Sequence, residues 1–333
     1  MKQECLHALV SFERDFKLYF STAKNQIESE ISNFVSRLGE IKLQEQIKYS
    51  VLSGGKRLRP ILAILSAESV GGNRNNIMSL ALALEFIHNA TLVHDDIIDQ
   101  DEFRRGKPTV YKQWSVNDAI LTGDALVALA IDLASEYSPQ ILREITHGAL
   151  ELCDGEHLDI ISTLKSATEK SYFEMIRKKS ASLFRTATHC GALAAGGTLS
   201  QAKALSMFGE DIGIAYQLKD DLLDLRQNDG MALKDLKKGR ITLPLIYSYN
   251  SSNSQEKRTI RKNLQLLTSD QTVSQEGPTE EILRIIRRRR TCDYCETKID
   301  AYLSQAVNSI SILNDSKCKL YLSMMTDIVN LSN

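Results

Sequence analysis

Two stretches of this 333-residue chain carry Asp-Asp-x-x-Asp inside runs that otherwise read as buried helix: Thr91-Leu-Val-His-Asp-Asp-Ile-Ile-Asp99 and Gln217-Leu-Lys-Asp-Asp-Leu-Leu-Asp224. On a helix, Asp95 and Asp99 stand one turn apart on one face with Asp96 beside them. Asp220, Asp221 and Asp224 repeat the arrangement. Carboxylates this crowded stay ionised only with a cation among them. Hard oxygen donors suit Mg²⁺, which keeps waters and shares its shell with substrate phosphates. Two such clusters facing each other would clamp a diphosphate. One copy would pass for a solvated helix face. Two copies flanked by Leu92, Val93, Ile97, Leu218, Leu222 and Leu223 do not, because buried unpaired carboxylates are costly.

Cations lie close to both motifs in sequence. In Ser53-Gly-Gly-Lys-Arg-Leu-Arg-Pro60 the glycines allow a sharp turn and Pro60 can open a helix at its first position. Lys56 and Arg59 would then sit at a helix N-terminus that favours phosphate, or in a plain basic turn. Arg104 and Arg105 follow the first motif, either as its counter-ions or as bidentate phosphate forks. Lys179-Ser180-Ala181 sets small residues beside a cation, leaving room for a ligand or for close helix packing. Arg240 ends a charged loop after the second motif. Gln217 shares the face of Asp221 and Asp224, and His88 shares the stripe of Leu84, Thr91, Asp95 and Asp99. His88 reads equally as a core residue or as a ligand.

The elements that must carry these residues are helical. Apolar residues recur at helical spacing through 5–53 (Phe16, Phe20, Ile27, Ile31, Val35), a packing face with no chemistry of its own. Helices are expected at 61–70, at 76–99, twice between 117 and 162 with a break near Ser138-Pro139, from a capping box Ser166-Ala-Thr-Glu169 to about 187, and at 200–226. Gly71-Gly72 and the segment Gly191 to Gly197 read as bends. Residues 250–333 read as peripheral helices with a polar linker at 268–279, and Arg287 to Arg290 as a solvated face.

Lys+Arg 41 against Asp+Glu 42 gives a net charge of −1, which points away from nucleic acid. Five prolines and abundant helix formers favour an all-α chain. Six scattered cysteines suit a reducing compartment, with Cys292-x-x-Cys295 lacking a second half for a metal site. No apolar run is expected to span a membrane, and Glu4, Glu13 and Asp15 spoil a signal peptide. A cytoplasmic protein without stable membrane insertion is expected.

In combination and order, Gly54-Gly-Lys-Arg-Leu-Arg-Pro60, His88, the two aspartate motifs, Arg104-Arg-Gly106, Lys179-Ser-Ala-Ser-Leu-Phe184 and Gly213-Ile-Ala-Tyr-Gln217 resemble the all-trans isoprenyl diphosphate synthases, or polyprenyl synthetases. The resemblance spans about 50–245. It implies one all-α catalytic domain, 1–333, of about ten or more helices around a central cavity, working as a homodimer. It implies Mg²⁺-dependent condensation of isopentenyl diphosphate with an allylic prenyl diphosphate, with about three Mg²⁺ ions on Asp95, Asp96, Asp99, Asp220, Asp221 and Asp224. Lys56, Arg59, His88 and Arg105 would hold isopentenyl diphosphate. Arg104, Lys179 and Gln217 would hold the allylic diphosphate, with Ser180 keeping the hydroxyl of the family's threonine and Arg240 standing in for a lysine. Where many members have Gly-Lys, this chain has Gly230-Met231. Bulky residues four and five places before the first motif close the family's cavity. Thr91 and Ala90 are small, so a geranylgeranyl or longer product is expected, with Ile87, Leu84 or side chains from 121–160 as the floor.

Three rival readings compete. An HD-type phosphohydrolase seeded by His94-Asp95 leaves the second motif unexplained. A class I terpene cyclase leaves Lys56 and Arg59 unexplained. A non-catalytic subunit of a prenyl synthase heteromer would be expected to have lost one motif.

Overall fold

The low proline content and the 3.6-residue apolar period do produce helices almost throughout. The computed structural model describes residues 2–39, 41–225, 233–269 and 276–330, and among them well over ten helices. Gly230 and Met231 lie outside the described residues. Contacts divide the chain into two compact units. The first is Met1–Ala149 with Leu183–Ser206 and Ile310–Met324; the second is Leu150–Ser182 with Met207–Ser309 and Met325–Asn333.

The first unit is built on the helix Met78–Ile98, which carries the first aspartate motif at its C-terminal end. Leu80, Leu84 and Phe86 are fully buried, so the helix is apolar on nearly every side. Residues 74–98 are in fact long and apolar enough to cross a membrane by composition, contrary to the sequence expectation. However, 72 % of that window is buried within the protein. The helix Val116–Ala134 packs along it, and Gly123 makes the approach possible, since a Cβ there would stand 2.6 Å from His94 Cδ2. The N-terminal helix Lys2–Arg37 buries Ile27, Ile31 and Val35 against the same core.

Several local expectations are corrected. Pro60 is the third residue of the helix Leu58–Ser69, where its missing N–H still falls among the unbonded donors of the first turn. After the first motif the chain makes a small hairpin, Phe103–Arg104 against Lys107–Pro108, in an otherwise helical protein. Arg105 and Gly106 turn it with φ of 53° and 74°, the double left-handed geometry that matches strand twist. The capping box is Thr168 with Ser171, two residues beyond the expected pair: Ser171 N–H donates to Thr168 Oγ1 at 3.0 Å, and Thr168 N–H to Ser171 Oγ at 2.9 Å. The helix it opens, Glu169–Ile176, passes into a π turn at Arg177–Ala181 and continues as Ser182–Ala194. Gly191 is therefore helical, and a Cβ on it would stand 3.0 Å from Ala63 C. The run Arg287 to Arg290 does lie on a solvated face, Arg287, Arg288 and Arg290 being exposed, and it pairs with acids there, Arg288 and Arg289 both on Glu256.

The second unit holds the helix Leu199–Asp224, which ends on the second aspartate motif. Asp211 on it is half-buried, and burial together with neighbouring Glu210 pushes its pKa from 3.8 to about 6, Arg177 only partly offsetting them. The folded chain thus keeps a proton that the unfolded chain releases between those values. Stability falls as pH rises from about 4 to about 6 and stays at the lower level above that. Asp211→Asn is expected to raise the melting temperature at pH 7 by about 2 °C, after discounting for solvent exposure. At pH 4 the gain should vanish; a gain equal at both pH values would contradict this assignment.

Candidate active site

In the first unit the glycine loop builds a cationic corner. Gly54 and Gly55 have φ of 85° and 141°, and a Cβ on Gly55 would stand 2.9 Å from Arg105 Nη2. The Arg105 guanidinium therefore lies against this loop, donating to the Gly54 carbonyl and, at 3.3 Å, to Ser53 Oγ. Lys56 is exposed just before the helix Leu58–Ser69, and Arg59 lies in its first turn with its guanidinium 4.4 Å over the Phe184 ring. Burial, then the charges of Arg59, Arg105, Arg104 and Arg57, hold the His88 imidazolium well below its usual range. His88 is thus neutral and surrounded by arginines, an arrangement that accepts an oxyanion. Loop, hairpin and helix thus bring the charges of Arg59 and Arg105 to bear on His88, with Lys56 exposed on the same loop.

On the motif itself the three aspartates differ. Asp96 is 4 % exposed and its Oδ1 accepts from Arg104 Nε at 2.8 Å, with Arg104 Nη2 also at 2.8 Å. Arg104 is thus a counter-ion of Asp96. Asp95 and Asp99 are half-buried one turn apart, and Asp99 N–H bonds the Asp95 carbonyl at 2.7 Å. A cavity on the Asp96 side of the helix is lined by Tyr49, Ser53, Asn89, Asp96, Arg104 and Lys107. Further down the helix, Ala90 and Ile87 are 1 % and 4 % exposed, whereas Thr91 is partly open and donates to the His88 carbonyl at 2.8 Å.

In the second unit Asp220 is exposed while Asp221 turns inward, 4 % exposed, accepting from Tyr172 Oη at 2.6 Å and Gln217 Nε2 at 2.8 Å. Gln217 in turn accepts from Ser180 Oγ at 2.6 Å. Asp224 accepts the N–H groups of Lys234 and Asp235 at 2.9 and 3.1 Å, at the start of the helix Lys234–Lys237. Burial, then the Asp235 carboxylate, pushes Asp221 up to about 8 and Asp224 up to about 6. Arg240 reaches Asp235 at 3.1 Å.

Lys179 sits in the π turn, its ammonium 2.5 Å from Asp159 and 2.8 Å from Glu156. Burial alone would lower its pKa, but Asp159 and Glu156 outweigh burial and raise it, so it is a fixed cation. Sequence reasoning missed Tyr172 and Asp235 as partners of the second motif. Glu156 and Asp159 left a signal, since both interrupt the apolar pattern of the helix Pro139–Ile160.

The donor set suits a hard cation. The carboxylates of Asp235 and Asp220 help raise the pKa of Asp221 and Asp224, and a divalent ion reverses that effect. Among the described residues no three His, Cys, Asp or Glu side chains form a ready-made metal cage. Mg²⁺ completes its shell with water and substrate phosphate rather than with protein donors alone.

Comparison with known proteins agrees with this chemistry. The family model described as polyprenyl synthetase matches residues 40–280. A geranylgeranyl diphosphate synthase of Methanosarcina mazei is 34% identical over 297 residues, covering 86% of this chain and 88% of that protein. An octaprenyl diphosphate synthase of Haemophilus influenzae is 31% identical, covering 96% and 95%. The crystal structure of a geranylgeranyl pyrophosphate synthetase from Pyrococcus horikoshii superposes with a TM-score of 0.85 at 30% identity, covering 95% of this chain and 98% of that one.

Proposed function

Because the chain belongs to the polyprenyl synthetase family, we propose that it condenses isopentenyl diphosphate head-to-tail with an allylic prenyl diphosphate, releasing diphosphate and giving an all-trans prenyl diphosphate of geranylgeranyl length or longer. The observation that carries this reading is the cationic corner in which the Arg105 guanidinium lies against the Gly54-Gly55 loop and the charges of Arg59 and Arg105 act on His88, on the same helix as Asp95 and Asp99. Such a corner binds phosphate next to a cation site.

Each side chain then has a task. Lys56, Arg59, His88 and Arg105 bind and orient isopentenyl diphosphate. Arg104, Lys179, Ser180, Gln217 and Arg240 bind the allylic diphosphate. Mg²⁺ held by Asp95, Asp96, Asp99, Asp220, Asp221 and Asp224, about three ions, would neutralise charge on the leaving group. As the allylic C–O bond breaks, Arg104 and Lys179 stabilise the negative charge gathering on the diphosphate. The double bond of isopentenyl diphosphate attacks the allylic cation, and the departed diphosphate takes the proton that is lost. Apolar walls exclude the water that would otherwise capture the cation.

The chain, 1–333, acts as one catalytic domain in a cytoplasmic homodimer, without binding nucleic acid. Its free Cys153, Cys190, Cys292, Cys295 and Cys318 suit a reducing compartment. Val116, Ile120, Val127 and Ile131 leave an exposed apolar stripe on the helix Val116–Ala134 for a second copy.

The test is incubation with Mg²⁺, labelled isopentenyl diphosphate and each allylic primer, followed by sizing of the products. Label in geranylgeranyl or longer diphosphates is expected. No incorporation by folded protein would favour a non-catalytic subunit instead. For product length, Thr91 is a sharper probe than Ala90, because phenylalanine at a buried alanine strains the core. Thr91→Phe is expected to stop growth near farnesyl length; an unchanged product would move the floor down to Ile87 or Leu84.

A further inference from the structure

The helix Lys2–Arg37 lies wholly before the residues that match the family, and its sequence reads as packing alone. One of its carboxylates nevertheless reaches the glycine loop. Glu28 accepts two parallel bonds from Arg57, Nε to Oε1 at 2.8 Å and Nη2 to Oε2 at 3.1 Å. Arg57 Nη1 meets Glu85 Oε1 on the helix Met78–Ile98, and Nη2 also donates to the Val51 carbonyl at 2.6 Å. Asn89 Nδ2, one turn along the same helix, donates to Glu85 Oε1 at 3.0 Å. Arg57 is 2 % exposed and Glu85 is 3 % exposed. Burial opposes the charge on Arg57, but Glu85 and Glu28 more than restore it.

The backbone at this residue is under constraint as well. Arg57 holds φ 54° and ψ 37°, a left-handed conformation uncommon for a side chain with a Cβ, at the residue that precedes the helix Leu58–Ser69. Such a conformation persists where surrounding contacts over-determine it. Here a fork–fork ion pair, a second carboxylate and a backbone carbonyl do so. Arg57 is therefore turned into the protein, although its neighbours Lys56 and Arg59 belong to the phosphate corner. Its fixed φ sets where the chain leaves the loop and enters the helix, and hence where both neighbours stand.

We propose that Glu28, Arg57 and Glu85 form a buried positioning latch that holds Lys56 and Arg59 in place for the diphosphate of isopentenyl diphosphate. This makes the N-terminal helix part of the binding machinery for that substrate. The proposal rests on the condensation described above. None of the three residues touches substrate. The latch acts through the loop, and the two acids also counter the crowding of positive charge from Lys56, Arg57, Arg59 and Arg105 when no diphosphate is bound.

Glu28→Gln in the full chain tests this, because Glu28 keeps 30% side-chain exposure and its loss leaves Arg57 paired with Glu85. Steady-state kinetics with Mg²⁺ are expected to show a rise of about tenfold in KM for isopentenyl diphosphate, with KM for the allylic substrate within about twofold of wild type. Calorimetric titration of isopentenyl diphosphate should show the same loss of affinity without turnover. Arg57→Lys, which keeps the charge but loses the fork, should behave alike if it folds. Equal shifts in both KM values, or a lowered melting temperature with both KM values unchanged, would make the contact merely structural and overturn the latch. A wild type that turns over normally alongside such a Glu28→Gln result leaves the condensation standing. A folded wild type that neither binds nor incorporates isopentenyl diphosphate overturns both.

Discussion

Asp220→Ala is expected to lower kcat by about a thousandfold while leaving the melting temperature within about 1 °C of wild type. Asp220 is exposed at the end of the helix Leu199–Asp224, so its removal uncovers no core. In the proposed reaction it helps bind a cation at the leaving diphosphate, and electrostatic groups of this kind carry the largest single share of many rate enhancements. Asp221→Ala should differ in kind. That carboxylate accepts from buried Tyr172 at 2.6 Å and from Gln217 at 2.8 Å, so alanine strands a phenol in the core and costs about 1–3 kcal/mol of stability. It should also loosen Gln217, which holds Ser180 at 2.6 Å. Thermal melts and kinetics on the two variants separate the roles. Equal destabilisation by both, or a near-normal kcat for Asp220→Ala, would contradict them.

That contrast also shows where sequence reading stops. Asp220 and Asp221 are identical residues in one motif, and what divides them is about 100° of helical rotation against a particular neighbour. Tyr172 stands 49 positions away and gives no local sign that it is that neighbour. The long helices were legible because an apolar period repeats over several turns, as in Met78–Ile98. The Arg105-Gly106 hairpin was not, because two residues per strand are too few for any period. Thr168 and Ser171 offer the same capping chemistry as Ser166 and Glu169, so only the packed helix chooses between them. Lys56, Arg59, His88 and Arg105 could be proposed from sequence as a phosphate corner because glycine, cations and aspartates occur in the family's order. Their support from Glu28 could not, since a lone glutamate on an amphipathic helix looks like solvated surface.

Gly155→Ala should do damage out of proportion to the single methyl group it adds. The π turn Arg177–Ala181 carries one more residue per turn than an α-helix and swells toward the helix Pro139–Ile160. Gly155 is where the two backbones meet, and a Cβ there would stand 2.6 Å from Lys179 Cα and 2.7 Å from Lys178 C. Neither atom belongs to a flexible side chain, so relief requires the helices to part or the π turn to tighten. Either displaces Lys179, whose ammonium is now set 2.5 Å from Asp159 and 2.8 Å from Glu156. Misplacing a binding group by about 1 Å can cost about a hundredfold in rate, and overpacking costs about 1–3 kcal/mol of stability. Gly155→Ala is therefore expected to lower kcat/KM for the allylic diphosphate by about a hundredfold, while KM for isopentenyl diphosphate changes little. Glycine at 155 leaves the π turn room to hold Lys179 where the proposed reaction needs it. A Gly155→Ala enzyme with wild-type allylic kinetics would show that the turn has no part in holding that lysine.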